Sequence, residues 1–261
     1  MVDLAALNAE LGGTVFAGKL HFFPVTDSTN NDALEAARGG APHGSVYLAD
    51  EQLVGRGRGG HAWQSAAGEG LYVSVLLRPQ MPASRLPLLP LAAGLAAAEA
   101  IRTVSRLTID LRWPNDLLIG ARKAGGILVE SKTEAAEVAH TVVGIGINVH
   151  QREFASGLST PATSLDLEAG RRISRQALIA ALLKSLERET LALLHPAASG
   201  TIPMRIAQAS TWVRGRHVEV HGPQVCSGIT AGLDEHGFLL VRTADGLVTV
   251  QTGGIRATEI G

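Results

Sequence analysis

Cysteine is almost absent: Cys226 is the only one in 261 residues. No disulfide can close within the chain, and a cysteine-rich zinc site is excluded. Among the nine histidines the one His-x-x-x-His spacing, His217 and His221, falls in a β-patterned run, where residues four apart lie about 13 Å from each other, so no structural metal site is expected. Neither sign of charge is in excess. The 23 Lys and Arg residues face 24 Asp and Glu, for a formal net charge of −1. That is not the basic balance of a dedicated nucleic-acid binder. The start, Met1-Val2-Asp3-Leu4, lacks the basic region and apolar run of a secretory signal. The most apolar stretch, residues 86–101, is interrupted by Pro87, Pro90 and Glu99 and reads as too short to span a bilayer. A soluble, cytoplasmic protein with no membrane partner is therefore expected. No P-loop pattern occurs, and Gly144-Ile145-Gly146 lacks the third glycine of a dinucleotide fingerprint.

What is present is enough apolar material for a sizeable core: 46% hydrophobic residues against 18% charged. The length suits one large domain, or a main domain with a small one. A helix is predicted over residues 30–38, with Thr29 as its cap and Asp32 completing a capping box, ending at Gly39-Gly40. Residues 45–49 and 71–77 read as strands, and residues 88–104 as a buried Ala- and Leu-rich helix. Residues 108–113 read as a strand leading into Pro114-Asn115-Asp116. Residues 117–119 and 126–130 read as a hairpin around Gly120-Ala121-Arg122-Lys123, and residues 138–149 as further strand. Residues 151–172 form a polar connection. The clearest helix covers residues 175–194, capped by Ser174, with Ala177, Leu178, Ala181, Leu182, Leu186 and Thr190 on one apolar face. Beyond Pro203 short β-patterned runs alternate with Gly-, Pro- and Asp-rich turns, the pattern of a small barrel. The boundary is placed at residue 207, giving domains 1–207 and 208–261. So small a barrel is expected to dock on the larger domain rather than swing free.

The stretch richest in chemistry is Gly55-Arg56-Gly57-Arg58-Gly59-Gly60-His61-Ala62-Trp63, set between two strands. Its glycines let backbone approach a ligand, and its arginines offer forked donors for carboxylate or phosphate. It reads as an anion-binding lid on a sheet. A disordered RGG-type RNA-binding tract is the alternative, but such tracts sit in long low-complexity tails. Other candidates are weak singly. Lys123 beside Gly125-Gly126 reads as a turn lysine, most often a solvated charge. Asp116 suits a metal, a ribose or an Asx turn. Asn148 equally marks a strand end.

Order and spacing are more specific than any one signal. The succession is Ser28-Thr29-Asn30, Gln52, the arginine lid through Trp63, Trp113-Pro114-Asn115-Asp116-Leu117, Arg122-Lys123-Ala124-Gly125-Gly126-Ile127-Leu128-Val129-Glu130, and Gly144-Ile145-Gly146-Ile147-Asn148-Val149. It closely resembles the biotin–protein ligases, from about residue 22 to the end of the chain. The resemblance implies an α+β fold. A mixed sheet flanked by helices, related to class II aminoacyl-tRNA synthetases, would be followed by an SH3-like C-terminal barrel. It implies synthesis of biotinyl-5′-AMP from biotin and MgATP, then transfer of biotin to a lysine of a biotin carboxyl carrier protein or domain. By position, Ser28, Thr29, Asn30 and Gln52 would line the biotin site. Arg56, Gly57 and Arg58 would form the lid over biotin and its adenylate. Lys123 would contact the biotin carboxylate and α-phosphate. Trp63 would pack near the adenine, with Asn115 and Asn148 near the nucleotide. Lys123, Arg58 and Asp116 would be catalytic, Asp116 either activating the acceptor amine or orienting ribose or metal. Mg²⁺ would arrive with ATP, with no metal held by the protein alone.

Three positions depart from the family pattern: Arg112 stands where lysine is common, and Gly59 and His61 where arginines are common. Ser28 lies too near the start for the winged helix-turn-helix of the repressor members, so a monofunctional ligase with no DNA partner is expected, as monomer or homodimer. Arg256 is open to contact with nucleotide, with acceptor or with solvent alone. A lipoate or octanoate ligase is the alternative enzyme. A non-catalytic biotin-sensing module is the alternative outside catalysis.

Overall fold

The computed structural model describes residues 2–258. Helix α1 (Leu4–Glu10), which no pattern signalled, buries Leu7 and is capped by Asp3. Strand β1 (Leu20–Thr26), helix α2 (Thr29–Arg38) and strand β2 (Ser45–Gln52) follow, with β1 and β2 parallel. A parallel pair needs a crossover, and α2 supplies it. Strand β3 (Gly70–Leu77), helix α3 (Leu88–Ser105) and strands β4 (Asp110–Arg112), β5 (Asp116–Ile119), β6 (Arg122–Glu134) and β7 (Glu137–Asn148) complete the unit. The seven strands run in the order β1-β2-β3-β7-β6-β5-β4, and every pairing except β1/β2 is antiparallel. This is the mixed sheet expected from the sequence. The apolar run of β3 is buried at all eight positions because β3 is an interior strand between β2 and β7.

Helices α4 (Leu165–Ala169), α5 (Arg175–Leu194), α6 (Pro196–Ser199) and α7 (Ile202–Ala209) come next. Five strands close the described chain: β8 (Arg214–His221), β9 (Cys226–Leu233), β10 (Leu239–Thr243), β11 (Gly246–Val250) and β12 (Gly254–Ala257). They form an antiparallel sheet in the order β11-β10-β9-β8-β12, consistent with a small SH3-like barrel.

Several local readings are revised. Ser28, not Thr29, is the N-cap of α2, and it makes no side-chain capping bond. The Thr29 hydroxyl turns to Ser74, and the Asp32 carboxylate accepts from Thr26 Oγ1 instead of closing a capping box. The polar connection contains α4, capped by Ser164. Helix α5 keeps its expected bounds but buries a broader face that includes Ile179, Leu183 and Glu189. Helix α3 is, by its 18 residues and composition, long and apolar enough to cross a membrane, contrary to the sequence reading. It is instead a core helix, with Ala92, Ala93, Ala96, Ala97 and Ala100 fully buried. Helix α7 runs across residue 207, and the second sheet starts at Arg214.

The two sheets share one core, and β4 is the seam. Asp110 accepts from the Thr211 amide and hydroxyl at 2.9 and 2.6 Å. The Leu111 carbonyl accepts from Ser210 Oγ at 2.5 Å, and Trp113 Nε1 donates to the Gly237 carbonyl at 3.0 Å. Behind it, Arg205 of α7 meets the buried Glu189 of α5 with two bonds of 2.7 Å. Gly237 is the tightest point. Its φ is +83°, and a Cβ there would lie 2.7 Å from Leu91 and 3.0 Å from Leu88. Gly237→Ala is expected to lower stability by about 1–3 kcal/mol, from backbone strain plus overpacking at the seam. Chemical denaturation checks this, and an unchanged midpoint would contradict it.

Candidate functional site

An open cleft of about 470 Å³ lies against β3, β6 and β7. The start of α2, the end of β2, the arginine lid and the start of β6 wall it, so segments distant in sequence meet there. Ser28, Thr29, Asn30, Gln52, Arg56, Gly57, Arg58, Trp63, Asn115 and Lys123 all line it, ten of the twelve residues expected at the site.

Its floor is a chain of side-chain hydrogen bonds. Gln52 Oε1 accepts from the Thr29 amide at 2.9 Å, which satisfies an N–H that the helix start leaves unpaired. Gln52 Nε2 donates to Ser65 Oγ at 2.8 Å. Thr29 Oγ1 lies 2.7 Å from Ser74 Oγ, and Ser74 Oγ donates to Asn30 Oδ1 at 2.5 Å. Asn30 Nδ2 donates to Glu130 Oε2 at 2.8 Å, and Arg56 binds the same oxygen at 2.6 Å. Ser28 is buried among these groups but makes no capping bond, which leaves its hydroxyl for other use. Ser65, Ser74 and Glu130 were not among the expected site residues. The available signals were Ser74, the one serine in a mostly apolar strand, and Glu130 at the end of the Lys123 segment.

The glycines of β7 have a steric purpose rather than a dinucleotide one. A Cβ on Gly144 would collide with the Asn30 amide, and one on Gly146 would lie 2.6 Å from Trp63 Nε1. They admit Asn30 and Trp63 against the sheet. Arg56 Nε and Trp63 Nε1 are buried without a hydrogen-bond partner among the described residues. Two unpaired donors lining one cleft are a cost unless a ligand or water accepts from them.

The lid is folded. Gly57 N donates to the His61 carbonyl at 2.7 Å, and Trp63 N to the Gly55 carbonyl at 2.8 Å, around a short 3₁₀ turn at Arg58–Gly60. Gly59 holds φ at +68°, a conformation that favours glycine over the arginine common there. Arg58 reaches across to the second sheet, donating to the Gly253 carbonyl and, at 3.0 Å, to Thr252 Oγ1. Burial lowers its pKa, and the nearby Asp116 charge opposes that shift.

Lys123 is not a turn residue, as the sequence suggested, but lies within β6. Its amide donates to the Pro161 carbonyl at 2.7 Å and its carbonyl accepts from Thr163 at 2.9 Å, so the polar connection braces it. Its ammonium lies 2.5 Å from Asp116 Oδ1 and 5.5 Å from the Trp63 ring. Asp116 heads β5, makes no Asx turn and does not line the cleft; its second oxygen meets Arg112 at 2.6 Å. Asn115 Nδ2 donates to the Ile127 carbonyl at 2.8 Å. Asn148 is also outside the cleft lining, buried behind Lys123, with Nδ2 on the Thr163 carbonyl at 3.0 Å. Arg256 is exposed on β12, opposite Glu219 in register. No group of three or more His, Cys, Asp or Glu residues suited to a metal exists among the described residues.

Comparison with known proteins places this architecture. Residues 22–148 match the biotin/lipoate A/B protein ligase family, and residues 214–255 match the biotin protein ligase C-terminal domain. The bifunctional ligase/repressor BirA of Bacillus subtilis is 33% identical over 249 residues, covering 92% of this chain and 74% of that protein. The biotin–acetyl-CoA-carboxylase ligase of Paracoccus denitrificans is 34% identical over 227 residues, covering 83% of this chain and 91% of that one. The biotin protein ligase of Aquifex aeolicus, solved with biotin and ATP, superposes with a TM-score of 0.79 at 29% identity, over 92% of this chain and all of that one.

The geometry makes one demand that can be tested without substrate. Gly144→Ala should displace Asn30 and break the link from Ser74 to Glu130, lowering stability by about 1–3 kcal/mol through an unsatisfied buried amide. Urea titration of the variant measures it, and wild-type stability would contradict the close approach.

Proposed function

Since the chain belongs to the biotin–protein ligases of the biotin/lipoate A/B protein ligase family, we infer that this cleft is where biotin is activated. The protein is an amide-forming ligase. It converts biotin and ATP to biotinyl-5′-AMP and transfers biotin to a lysine of a carboxylase's biotin carrier. The observation that carries the assignment to this cleft is its pairing of two chemistries. Uncharged hydrogen-bonding groups (Ser28, Thr29, Asn30, Gln52) line it together with the cations Arg58 and Lys123. Biotin has the same two characters, an uncharged ureido ring and a carboxylate.

Adenylation joins two anions. A carboxylate oxygen attacks the α-phosphorus and pyrophosphate leaves. Two unit charges at 4 Å repel by roughly 4 kcal/mol at an effective dielectric near 20. That is about three orders of magnitude in rate. Lys123 sets a positive charge where the two anions meet and stabilises the transition state. Arg56 and Arg58 close over the mixed anhydride and keep water from it. Trp63 offers a flat face to the adenine, and Asn115 braces the wall beside it. Asn148 acts indirectly on the nucleotide, by fixing the backbone around Lys123. In the second step the acceptor amine attacks the acyl carbon, AMP leaves, and the amine loses its proton.

Mg²⁺ enters bound to ATP, where it would shield the phosphate charge. The acceptor is a carboxylase's carrier domain, and cytoplasmic residence suits that substrate and the single cysteine. Monomer and homodimer are both compatible with the fold. The near-neutral charge supports the absence of a DNA partner. A salt-resistant, sequence-specific shift with duplex DNA would overturn that reading.

Lys123→Ala should lower the rate of pyrophosphate release by about 10²-fold or more with biotin and MgATP. The fold should survive, because Asp116 keeps Arg112 as its partner. Normal pyrophosphate release would remove Lys123 from the mechanism. Running biotin, lipoate and octanoate in parallel fixes the substrate.

A further inference from the structure

Asp116 is held on both oxygens at once. Oδ1 lies 2.5 Å from Lys123 Nζ, and Oδ2 lies 2.6 Å from a terminal nitrogen of Arg112, with Arg112 Nε at 3.1 Å. The two cations differ in freedom. The same Arg112 nitrogen also donates to Thr160 Oγ1 at 2.9 Å. Its guanidinium lies 5.2 Å from the ring of Trp212, which is itself buried and carries Arg216 at 4.2 Å. Its side chain is 10% exposed. Lys123 has one ion-pair partner, a flexible stem and a side chain 28% exposed. It lines the cleft, whereas Asp116 does not.

To neutralise a carboxylate and a phosphate in the cleft, Lys123 must turn away from Asp116. Were Lys123 its only partner, a carboxylate only 15% exposed would not release it cheaply. We propose that Arg112 is a positioning residue for Lys123. It keeps the Asp116 charge satisfied through two N–H donors, which lets Lys123 leave Asp116 for the cleft when substrates enter. Arg112 touches neither substrate; it acts through Asp116. Trp212 and Thr160 hold it in place, so the segment leading into the second sheet sets the position of the mobile cation. This rests on the reading of Lys123 as the adenylation cation.

The test uses the full-length protein with biotin and MgATP, following pyrophosphate release. Arg112→Met should lower kcat by about tenfold or more and leave the KM for biotin within about twofold. Adding Asp116→Asn to that variant should recover most of the lost rate, because the carboxylate that traps Lys123 is gone. Arg112→Lys should fall between wild type and Arg112→Met, since one ammonium reproduces the charge but not the fork. Should Arg112→Met fail to fold by circular dichroism, Arg112→Gln, alone and with Asp116→Asn, replaces it. A wild-type rate without Arg112, or a double variant no faster than the single, would overturn the proposal. Lys123→Ala separates the two levels. If it adenylates normally, the reading of Lys123 fails. If it is slow and the double variant shows no recovery, only the role of Arg112 fails.

Discussion

One carboxylate, Asp116, connects the chemistry of the cleft to the construction of the whole chain. It takes Lys123 on one oxygen and Arg112 on the other, and both cations belong to the sheet. Arg112 is the last residue of β4, and the residues on either side of it, Asp110, Leu111 and Trp113, bind Thr211, Ser210 and Gly237. A displacement of the second sheet would therefore pull on Arg112, then Asp116, then Lys123. The ion pair stands on a rigid seam of backbone and side-chain bonds, not on exposed and screened charges. That is the condition under which a few tenths of an ångström in a cation's position matter to a rate.

The uncharged part of the cleft is built by a different rule. The start of α2 brings unpaired N–H groups, and in most helices the cap residue's own side chain answers one of them. Here the Ser28 side chain does not, and Gln52 from β2 binds the Thr29 amide instead. Local helix stability is given up, and a serine hydroxyl is left uncommitted inside the cleft. The same economy governs Asn30, whose two amide atoms are fixed by Ser74 and Glu130, so its orientation is set before any ligand arrives. Preorganised polar groups of this kind lose little on binding, because their ordering is already complete.

Much of this was legible in the sequence. The long elements announced themselves: the bounds of α5 follow from period and cap, and the interior strand β3 from its apolar run. The lid stood out by itself, the Trp113–Asp116 block and the Lys123 segment only through their order and spacing, and the cleft is lined from all three. What stayed hidden depends on partners far along the chain. Asn30 and Glu130 are 100 residues apart, and Ser74 is 44 from Asn30, so no window of sequence contains the bond. Lys123 read as a turn lysine because it closes the polar hairpin turn Gly120-Ala121-Arg122-Lys123. In the sheet Gly125 lets Gly146 and Leu117 come close, and the carbonyl that braces Lys123 comes from Pro161. Strand β1 escaped because Pro24 and its irregular burial match neither period. Helix α7 escaped because eight residues are too few for a periodic signal.

Arg58 shows how lid and second sheet are tied. Its guanidinium spends donors on Thr252 and the Gly253 carbonyl, both in the turn before β12. Those are neutral acceptors, and an anionic adenylate competes well against them, because hydrogen bonds between charged partners are roughly twice as strong. The lid thus rests on the barrel through contacts weak enough to exchange. Lys123 rests on Asp116 under the same logic, with one difference: its resting partner is charged and only 15% exposed, and so needs a second cation to let it go. Both cations line the cleft with donors already engaged elsewhere. Lys123, paired with Asp116, adds no uncompensated positive charge to the empty cleft, and still delivers its charge once two anions enter.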